Sequence, residues 1–476
     1  MQHYDFVVIG SGPAGQKGAI QASKLGHSVA LVEKHSAIGG ACLHTGTIPS
    51  KTLREAALYL SGWHQRGFYG RSYRVKSRIT AEDLMQRLEI TTRHEIEVVQ
   101  HQLHRNRVET FNGTASFVDP HHIEVTAADG TVTRLGGDRF LIATGSRPVQ
   151  TPNVPFDGVH VVDSDHILQM REIPRTLVVV GAGVIGVEYA SIFSALDIKI
   201  TLIDGRMDML SFLDREIVAE FMHHLRDRGV SVRMGETVEK VDLLSPRGVR
   251  VCLASGKQVV ADMALFAAGR VSNTESLNLD SAGLQPDERG RLEVDEHFRT
   301  AVPHIYAAGD VIGFPALASI SMEQGRHAAC HALGGPLPAT QPESPFGIYA
   351  VPEISVVGMT EEQAREQNIP YEIGAARFRE TCRGQILGLR EGLLKLLFHL
   401  EDHRLLGVHI VGEGATELIH IGQSVLILNG TLEYFVNTVF NYPTLAEAYK
   451  IAALDAWNRM PRTTAAAAAQ KALMVE

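Results

Sequence analysis

An α/β protein is what this sequence predicts, with two dinucleotide-binding units in one chain and an α+β unit behind them. Three observations predict it. A pattern of apolar strand, glycine-rich loop, helix, second strand and terminal acid occupies residues 4–33 and recurs at residues 177–204. The 476 residues leave room for about three domains of roughly 150 residues each. After the Pro-rich stretch Leu337 to Pro345 the composition changes to a strand pair followed by a helix.

The first unit opens with a hydrophobic strand at residues 4–9 that enters Gly10-Ser11-Gly12-Pro13-Ala14-Gly15. An alanine-rich helix runs to Leu25, Gly26 caps it, and a strand from Val29 to Val32 ends at Glu33, beside Lys34. Glycines permit the tight turn and bring a pyrophosphate close to a helix N-terminus, while the acid accepts a ribose hydroxyl. Residues 52–110 read as long polar-faced helices with Trp63 and Phe68 packed inward, and strands follow through Arg139 to Gly145. The second unit repeats the first: strand Leu177 to Val180, loop Gly181-Ala182-Gly183-Val184-Ile185-Gly186, helix Val187 to Ala195, strand Ile200 to Ile203, acid Asp204. Chance would have to supply loop, helix and acid twice, so the chain is expected to bind two dinucleotides and to pass hydride between them.

The helix from about Arg215 to Arg228 shows apolar spacing at Ile217, Phe221 and Leu225, with Asp214 as N-cap and Gly229 as its stop. Another helix is expected to start at Leu317-Ala318-Ser319. A hairpin spans Leu393 to Leu400 and Leu405 to Val411, and a helix runs from Ala415 to Leu428. Thr444-x-x-Glu447 reads as a capping box opening the last helix. From Pro461 onward an alanine run forms a frayed tail.

Composition excludes several classes. With 45% apolar and 21% charged residues the chain has the balance of a soluble globular protein. No apolar run approaches the ~18 residues of a membrane span. Phe6-Val7-Val8-Ile9 runs straight into the glycine loop, which leaves no room for a cleavable signal. Only Cys42, Cys252, Cys330 and Cys382 occur, none at short ligand spacing, so a reducing cytoplasm is expected and a zinc site is not. The net charge of −9 argues against nucleic acid as a partner.

The stretch Gly39-Gly40-Ala41-Cys42-Leu43-His44-Thr45-Gly46-Thr47-Ile48-Pro49-Ser50-Lys51, ending in a proline-serine break before a helix, resembles the flavoprotein pyridine-nucleotide disulfide oxidoreductases. That resemblance implies FAD on the first fingerprint (Gly10, Gly12, Pro13, Ala14, Gly15, Glu33 and Lys34), with Gly40, Cys42, Thr47, Lys51, Ala115, Thr144, Gly145, Asp310 and Ala318 about the rest of the cofactor. It implies NAD and NADP as substrates on Gly181, Gly183, Ile185, Gly186, Glu188, Asp204, Arg206, Gly269 and Arg270. It also implies a C-terminal dimer-interface domain and a homodimer. The implied division is 1–150 and 273–342 for FAD, 151–272 for NAD(P), 343–460 for the interface and 461–476 for a tail.

The family relays electrons through two cysteines, and its partner-subunit histidine serves the thiols as acid-base catalyst. Here Cys42 keeps the first sulfur, Thr47 replaces the second, and Tyr442 stands for the histidine in Tyr442-Pro443-Thr444-Leu445-Ala446-Glu447. A tyrosine with a pKa near 10 is a poor base at neutral pH. The double departure is similar to the soluble, FAD-containing, Si-specific pyridine nucleotide transhydrogenases. It implies hydride exchange between NADPH and NAD, with Lys51 and Glu188 as the catalytic pair. Asp204 suits the free ribose of NAD and Arg206 the 2′-phosphate of NADP. Two alternatives stay open: a diaphorase passing electrons to quinones, and a flavin-bearing sensor subunit. Cys42 is read as a small filler without a redox role, and His44 as either a contact to the flavin edge or a surface residue.

Overall fold

The computed structural model describes residues 2–70, 72–244, 247–337 and 343–460. The tail from Pro461 and residues 338–342 of the Pro-rich connector lie outside the described residues. Three sheets carry the molecule. The first has seven strands, in the order Glu109–Asn112, Val29–Glu33, Gln2–Ile9, Val132–Ile142, His122–Thr126 and Thr114–Asp119, with Ile305–Ala307 joining Val132–Ile142. Its central strands are parallel, Phe6 beside Val29 and Val7 beside Phe140. Phe6, Val7, Val8 and Ile9 are all buried, as expected of a strand covered on both faces. The second sheet is wholly parallel, in the order Ser231–Met234, Lys199–Asp204, Thr176–Val180, Met263–Phe266 and Val161–Asp163. An antiparallel meander, Val238–Leu243, Val249–Leu253 and Gln258–Ala261, packs beside it.

The chain passes between these sheets twice, and the two passages are fastened together. Ser146–Pro148 pairs antiparallel with Arg270–Ser272. This small ribbon fixes the ends of both central sheets against each other, which is what brings Gly145, Arg270 and Asp310 into one place. The third sheet is antiparallel, in the order Phe346–Ile348, Ile354–Gly358, Leu405–Val411, Leu393–His399 and Tyr371–Arg377. Helices Ala415–Ile427 and Glu447–Trp457 cover it. Its Lys395 is fully buried and reaches the second unit: Nζ lies 3.1 Å from Asp214, 3.0 Å from Glu216 and 2.6 Å from Glu361. Asp214 meanwhile caps the helix Arg215–Asp227, accepting from Glu216 N at 3.0 Å.

Four expectations need correction. Pro49 and Ser50 do not precede a helix but sit inside one, Thr47–Leu60, because proline is tolerated in a first helical turn where its missing N–H has no partner to lose. Residues 52–110 are not helical throughout. A short helical stretch at 63–69 and an irregular segment separate Thr47–Leu60 from Ala81–Arg105, which Thr80 and Asp83 open with a capping box, and Glu109–Asn112 is an edge strand. Trp63 does pack on the core, but Phe68 is 57% exposed, its ring lying against Gly388. Finally, Thr444 and Glu447 form no capping box. The helix begins at Glu447 itself, and the Thr444 hydroxyl donates to Asn441 O at 2.7 Å.

Candidate active site

The two glycine loops are built alike, atom for atom. A Cβ on Gly10 would lie 2.4 Å from Ala143 O, and one on Gly181 2.4 Å from Ala267 O. A Cβ on Gly15 would lie 1.9 Å from Gly10 O, and one on Gly186 1.8 Å from Gly181 O. No larger residue fits at these four positions, and Gly10 and Gly181 also have φ of +104° and +107°. Nothing stands within 4 Å of a Cβ on Gly12, so the space before the helix Pro13–Lys24 is open. That helix, Val184–Ala195 and Ala318–Ala332 all start without a side-chain cap, leaving first-turn N–H groups free for anionic ligands.

The first loop opens on a cavity of about 1560 Å³, larger than the ~300–1,000 Å³ that holds one small ligand. Glu33, buried at its rim, accepts from Ser11 N at 3.0 Å and from the Ser11 hydroxyl at 2.6 Å. At the far end Lys51 Nζ donates to both carboxylate oxygens of Glu188, at 2.9 and 2.8 Å. Glu188 also accepts from Tyr349 N at 2.9 Å, and Nζ lies 5.0 Å from the centre of the Tyr349 ring. The Glu188 side chain is 5% exposed and that of Lys51 25%, so a fixed cation faces the cavity from a buried acid. Asp310 accepts from the Ser146 hydroxyl at 2.7 Å, and Arg270 donates to the same Ser146 oxygen at 2.8 Å. Thr144 Oγ1 lines the cavity, buried and without a hydrogen-bond partner among the described residues.

Cys42 and Thr47 are neighbours, with the Thr47 hydroxyl hydrogen-bonded to Sγ, yet burial pushes the Cys42 thiol up and outweighs that bond. It is therefore a thiol at neutral pH, a poor nucleophile. All four cysteines are free. Thr47→Cys is accordingly expected to create a disulfide. Thiol counting on the denatured, air-exposed variant should find three reactive thiols, against four in the parent, and five in the variant would show that the pair does not close.

In the second unit Asp204 accepts from Ala182 N at 2.6 Å, from Arg206 N at 2.8 Å, and from the Arg206 guanidinium at 3.0 and 2.7 Å. Burial works against the charge of Asp204, but the Arg206 bonds outweigh it and hold the carboxyl below the usual range. Arg206 is mostly exposed and clips onto the buried acid.

Of the residues singled out above, Gly10, Gly12, Pro13, Ala14, Glu33, Lys34, Gly40, Cys42, Thr47, Lys51, Ala115, Thr144, Gly145, Ile185, Glu188, Arg270, Asp310 and Ala318 line the one cavity. Gly15, Gly181, Gly183, Gly186, Asp204, Arg206 and Gly269 do not. Gly15 is wedged behind the first loop, while Gly181, Gly183, Gly186, Asp204 and Arg206 gather at the second loop. His44 lines the cavity with Nε2 3.0 Å from Ile38 O. Tyr442 is largely exposed and stands away from the cavity lining, its hydroxyl against Cys382. No local pattern marks Tyr349, which lies 298 positions from Lys51 in the chain, or Ser146, which joins Arg270 to Asp310. Both contacts are products of the fold alone.

A doubled dinucleotide loop, a shared cavity and a lysine–glutamate pair at its far end define a flavin- and nicotinamide-handling class of oxidoreductase. The chain belongs to the pyridine nucleotide-disulphide oxidoreductase family, which it matches over residues 4–325, with the family's dimerisation domain matched over residues 344–453. It is 54% identical over 461 residues to the soluble pyridine nucleotide transhydrogenase of Mycobacterium bovis BCG Pasteur, covering 97% of this chain and 98% of that one. The transhydrogenase of Salmonella paratyphi C is 44% identical over 96% of this chain and 98% of its own. Among solved structures, the HOCl-induced flavoprotein disulfide reductase RclA of Escherichia coli superposes with a TM-score of 0.85 at 28% identity, covering 95% and 99% of the two chains. LpdA of Mycobacterium tuberculosis does so with a TM-score of 0.86 at 25% identity, covering 95% and 99%.

Proposed function

We propose that this chain is an FAD-dependent transhydrogenase that moves hydride between NADPH and NAD and processes no disulfide. The observation that carries the reading is the Lys51–Glu188 pair facing the cavity beside a Cys42 whose second sulfur is Thr47. The residues present suit FAD: the open space before Gly12, the uncapped helix starts and the orphaned Thr144 hydroxyl each lack the partner such a ligand brings. FAD held there supplies a two-electron carrier between successive nicotinamides. Gly10 to Ala14 and Glu33 would hold its adenosine side, and Asp310 and the start of Ala318–Ala332 its flavin side.

The chain's own groups do the rest. Lys51 keeps a positive charge at the cavity wall, and Glu188 and Tyr349 N fix where that charge sits, so no reorganisation is needed as negative charge develops. Asp204 receives the ribose hydroxyls of NAD. Arg206, released from Asp204, pairs the 2′-phosphate of NADP, so one site serves both nucleotides in turn. We further assign residues 1–150 and 273–342 to the FAD-holding unit, 151–272 to the NAD(P) unit and 343–460 to the homodimer interface. The matched dimerisation domain supports the last assignment. No helix among the described residues is long and apolar enough to cross a membrane, and four unpaired cysteines suit the cytoplasm.

Steady-state assays with NADPH plus NAD, with quinones and with small disulfides test the reading. Coenzyme exchange should exceed both other reactions, and disulfide turnover at a matching rate would defeat it. Arg206→Ala exposes the 2′-phosphate to a bare Asp204, so KM for NADPH should rise by roughly 10- to 100-fold, as for loss of a charged hydrogen bond. KM for NADH should change by less than about threefold. Equal changes for both nucleotides would remove Arg206 from the discrimination.

A further inference from the structure

Lys51 and Arg54 stand three positions apart on the helix Thr47–Leu60, so their side chains leave neighbouring points of one face. Both reach residues 349–353, the short connection between the first two strands of the third sheet. Arg54 is buried, its Nε donating to Ala350 O at 3.0 Å and its guanidinium lying 3.1 Å from the Glu353 carboxylate. Glu353, also buried, accepts from Thr416 N at 3.1 Å and from the Thr416 hydroxyl at 2.8 Å. Thr416 is hydrogen-bonded in turn to the Tyr349 hydroxyl. Tyr349 closes the circuit, because Lys51 Nζ stands over its ring and its N donates to Glu188 at 2.9 Å.

Tyr349 is therefore held through its backbone, through its hydroxyl and through the carbonyl of the next residue. Its half-buried ring and Thr416 both line the cavity. An ammonium within ~6 Å of a ring centre is drawn to the negative ring face, most strongly where water is scarce. Nζ lies 5.0 Å from the ring centre and the Lys51 side chain is 25% exposed, so both conditions are met. The other contacts of Nζ are the two Glu188 oxygens and a longer bond of 3.3 Å to Ser50 Oγ. The ring differs from Glu188 in one respect: it attracts the charge without neutralising it, so the field that Lys51 sends into the cavity is kept. Burial pushes the Tyr349 phenol up despite the Thr416 bond, so the side chain stays neutral at physiological pH and acts as a ring, not as a base.

We propose that Tyr349 is a positioning residue for hydride transfer, its ring fixing the Lys51 ammonium at the cavity wall while Thr416, Glu353 and Arg54 fix the ring. The inference rests on the role given to Lys51 above. Taking the ring away leaves the Glu188 bonds to Lys51 and to residue 349 N in place, so the charge itself survives and only its fixed position is lost. A cation free to wander stabilises developing negative charge less, because part of its reorganisation must then accompany the reaction.

The test compares the holoenzyme with Tyr349→Phe and Tyr349→Leu, with Tyr349→Met in place of the latter should flavin be lost. Two quantities are read: the limiting rate of flavin reduction at saturating NADPH, by rapid mixing, and the flavin midpoint potential, by equilibrium titration against a reference dye. Tyr349→Leu should slow reduction roughly 3- to 30-fold, the effect of losing a partly desolvated contact between cation and ring. It should also move the potential to more negative values, with NADPH affinity little changed. Tyr349→Phe keeps the ring and should stay near the parent in both. A rate and a potential unmoved by Tyr349→Leu would overturn the proposal. So would a slower rate at an unmoved potential, which would give Tyr349 a part in orienting the nucleotide instead, or an equal loss in Tyr349→Phe, which would assign the effect to the hydroxyl. A parent enzyme reduced by NADPH that passes nothing to NAD would strike the exchange reading, while the rates and potentials of the variants would still decide the role of Tyr349.

Discussion

Lys51→Met is expected to slow flavin reduction by NADPH by roughly 10²- to 10³-fold, the usual effect of removing one preorganised electrostatic contact to developing charge. The expectation comes from how the ammonium is held. Two bonds of 2.8 and 2.9 Å tie it to Glu188, which is itself pinned by Tyr349 N, and the pair is only partly open to solvent. Methionine preserves the length and apolar stem of lysine but leaves Glu188 buried beside an uncharged neighbour. The check is rapid mixing with NADPH, following flavin absorbance at saturating nucleotide. A fall in the limiting rate with little change in nucleotide affinity supports the role. A rise in KM alone, at an undiminished limiting rate, would make Lys51 a binding residue only. Glu188→Gln should cost less, since the amide oxygen still accepts from Tyr349 N and Lys51 keeps its charge.

Lys395→Met is expected to produce the largest loss of stability without touching the chemistry. Lys395 and Asp214 are both fully buried, and Glu361 completes the cluster at 2.6 Å. Removing the cation leaves the buried Asp214 with backbone donors alone, while Glu361 keeps Arg365 and Tyr371; breaking a buried pair in this way typically costs about 3–5 kcal/mol. In a chain of this size the thermal midpoint should fall on the order of 5 °C, while NADPH-to-NAD exchange at low temperature stays near the parent value. A triple change, Lys395→Met with Asp214→Asn and Glu361→Gln, should recover most of the loss, because no buried charge is then unpaired. A midpoint unmoved by Lys395→Met would show that the cluster fastens nothing.

The same cluster sets a pH window. Burial disfavours the charges of Asp214 and Glu361, but for Asp214 the nearby His409 and Lys395, and for Glu361 the bonds from Lys395 and Tyr371, outweigh it and depress both carboxyls. Their contribution is present above the ordinary carboxylate range of about 4 and is lost as pH falls through the depressed values. Lys395 is held well above its ordinary value despite burial, chiefly by Glu361, so its contribution is present below about 10.4 and is lost only as pH rises through that raised value. His409, fully buried, is pushed down by desolvation against the pull of Asp214, so the folded state resists its protonation and stability declines as pH drops below about 6.5. Thermal midpoints should be highest between about pH 7 and 10.

Much of this molecule is written in short sequence spans. The doubled fingerprint announces both parallel sheets, because glycine positions that admit no Cβ recur at fixed distance from a strand and an acid. Asp214 and Gly229 mark a helix correctly because capping is a local affair, settled within four residues. The Thr444–Glu447 spacing misleads for the converse reason. It fits a capping box, but the chain enters that helix from the loop that carries Tyr442, and Glu447 Oε2 is left buried without a partner among the described residues. Hydrophobicity alone points Phe68 inward, although its ring lies on the surface over Gly388. Tyr349 under Lys51 and Lys395 among three carboxylates join positions far apart in the chain. No local pattern encodes such contacts.

The account stands on hydride entering and leaving through the same end of the cavity with no sulfur in between. The most direct measurement is a separated half-reaction: treat the holoenzyme with NADPH, remove NADP by gel filtration under anaerobic conditions, add NAD, and count both NADH formed and reactive thiols before and after. One NADH per flavin, with the thiol count unchanged by reduction, is the predicted result. A gain of two thiols on treatment with NADPH, or no NADH after NAD is added, would contradict it.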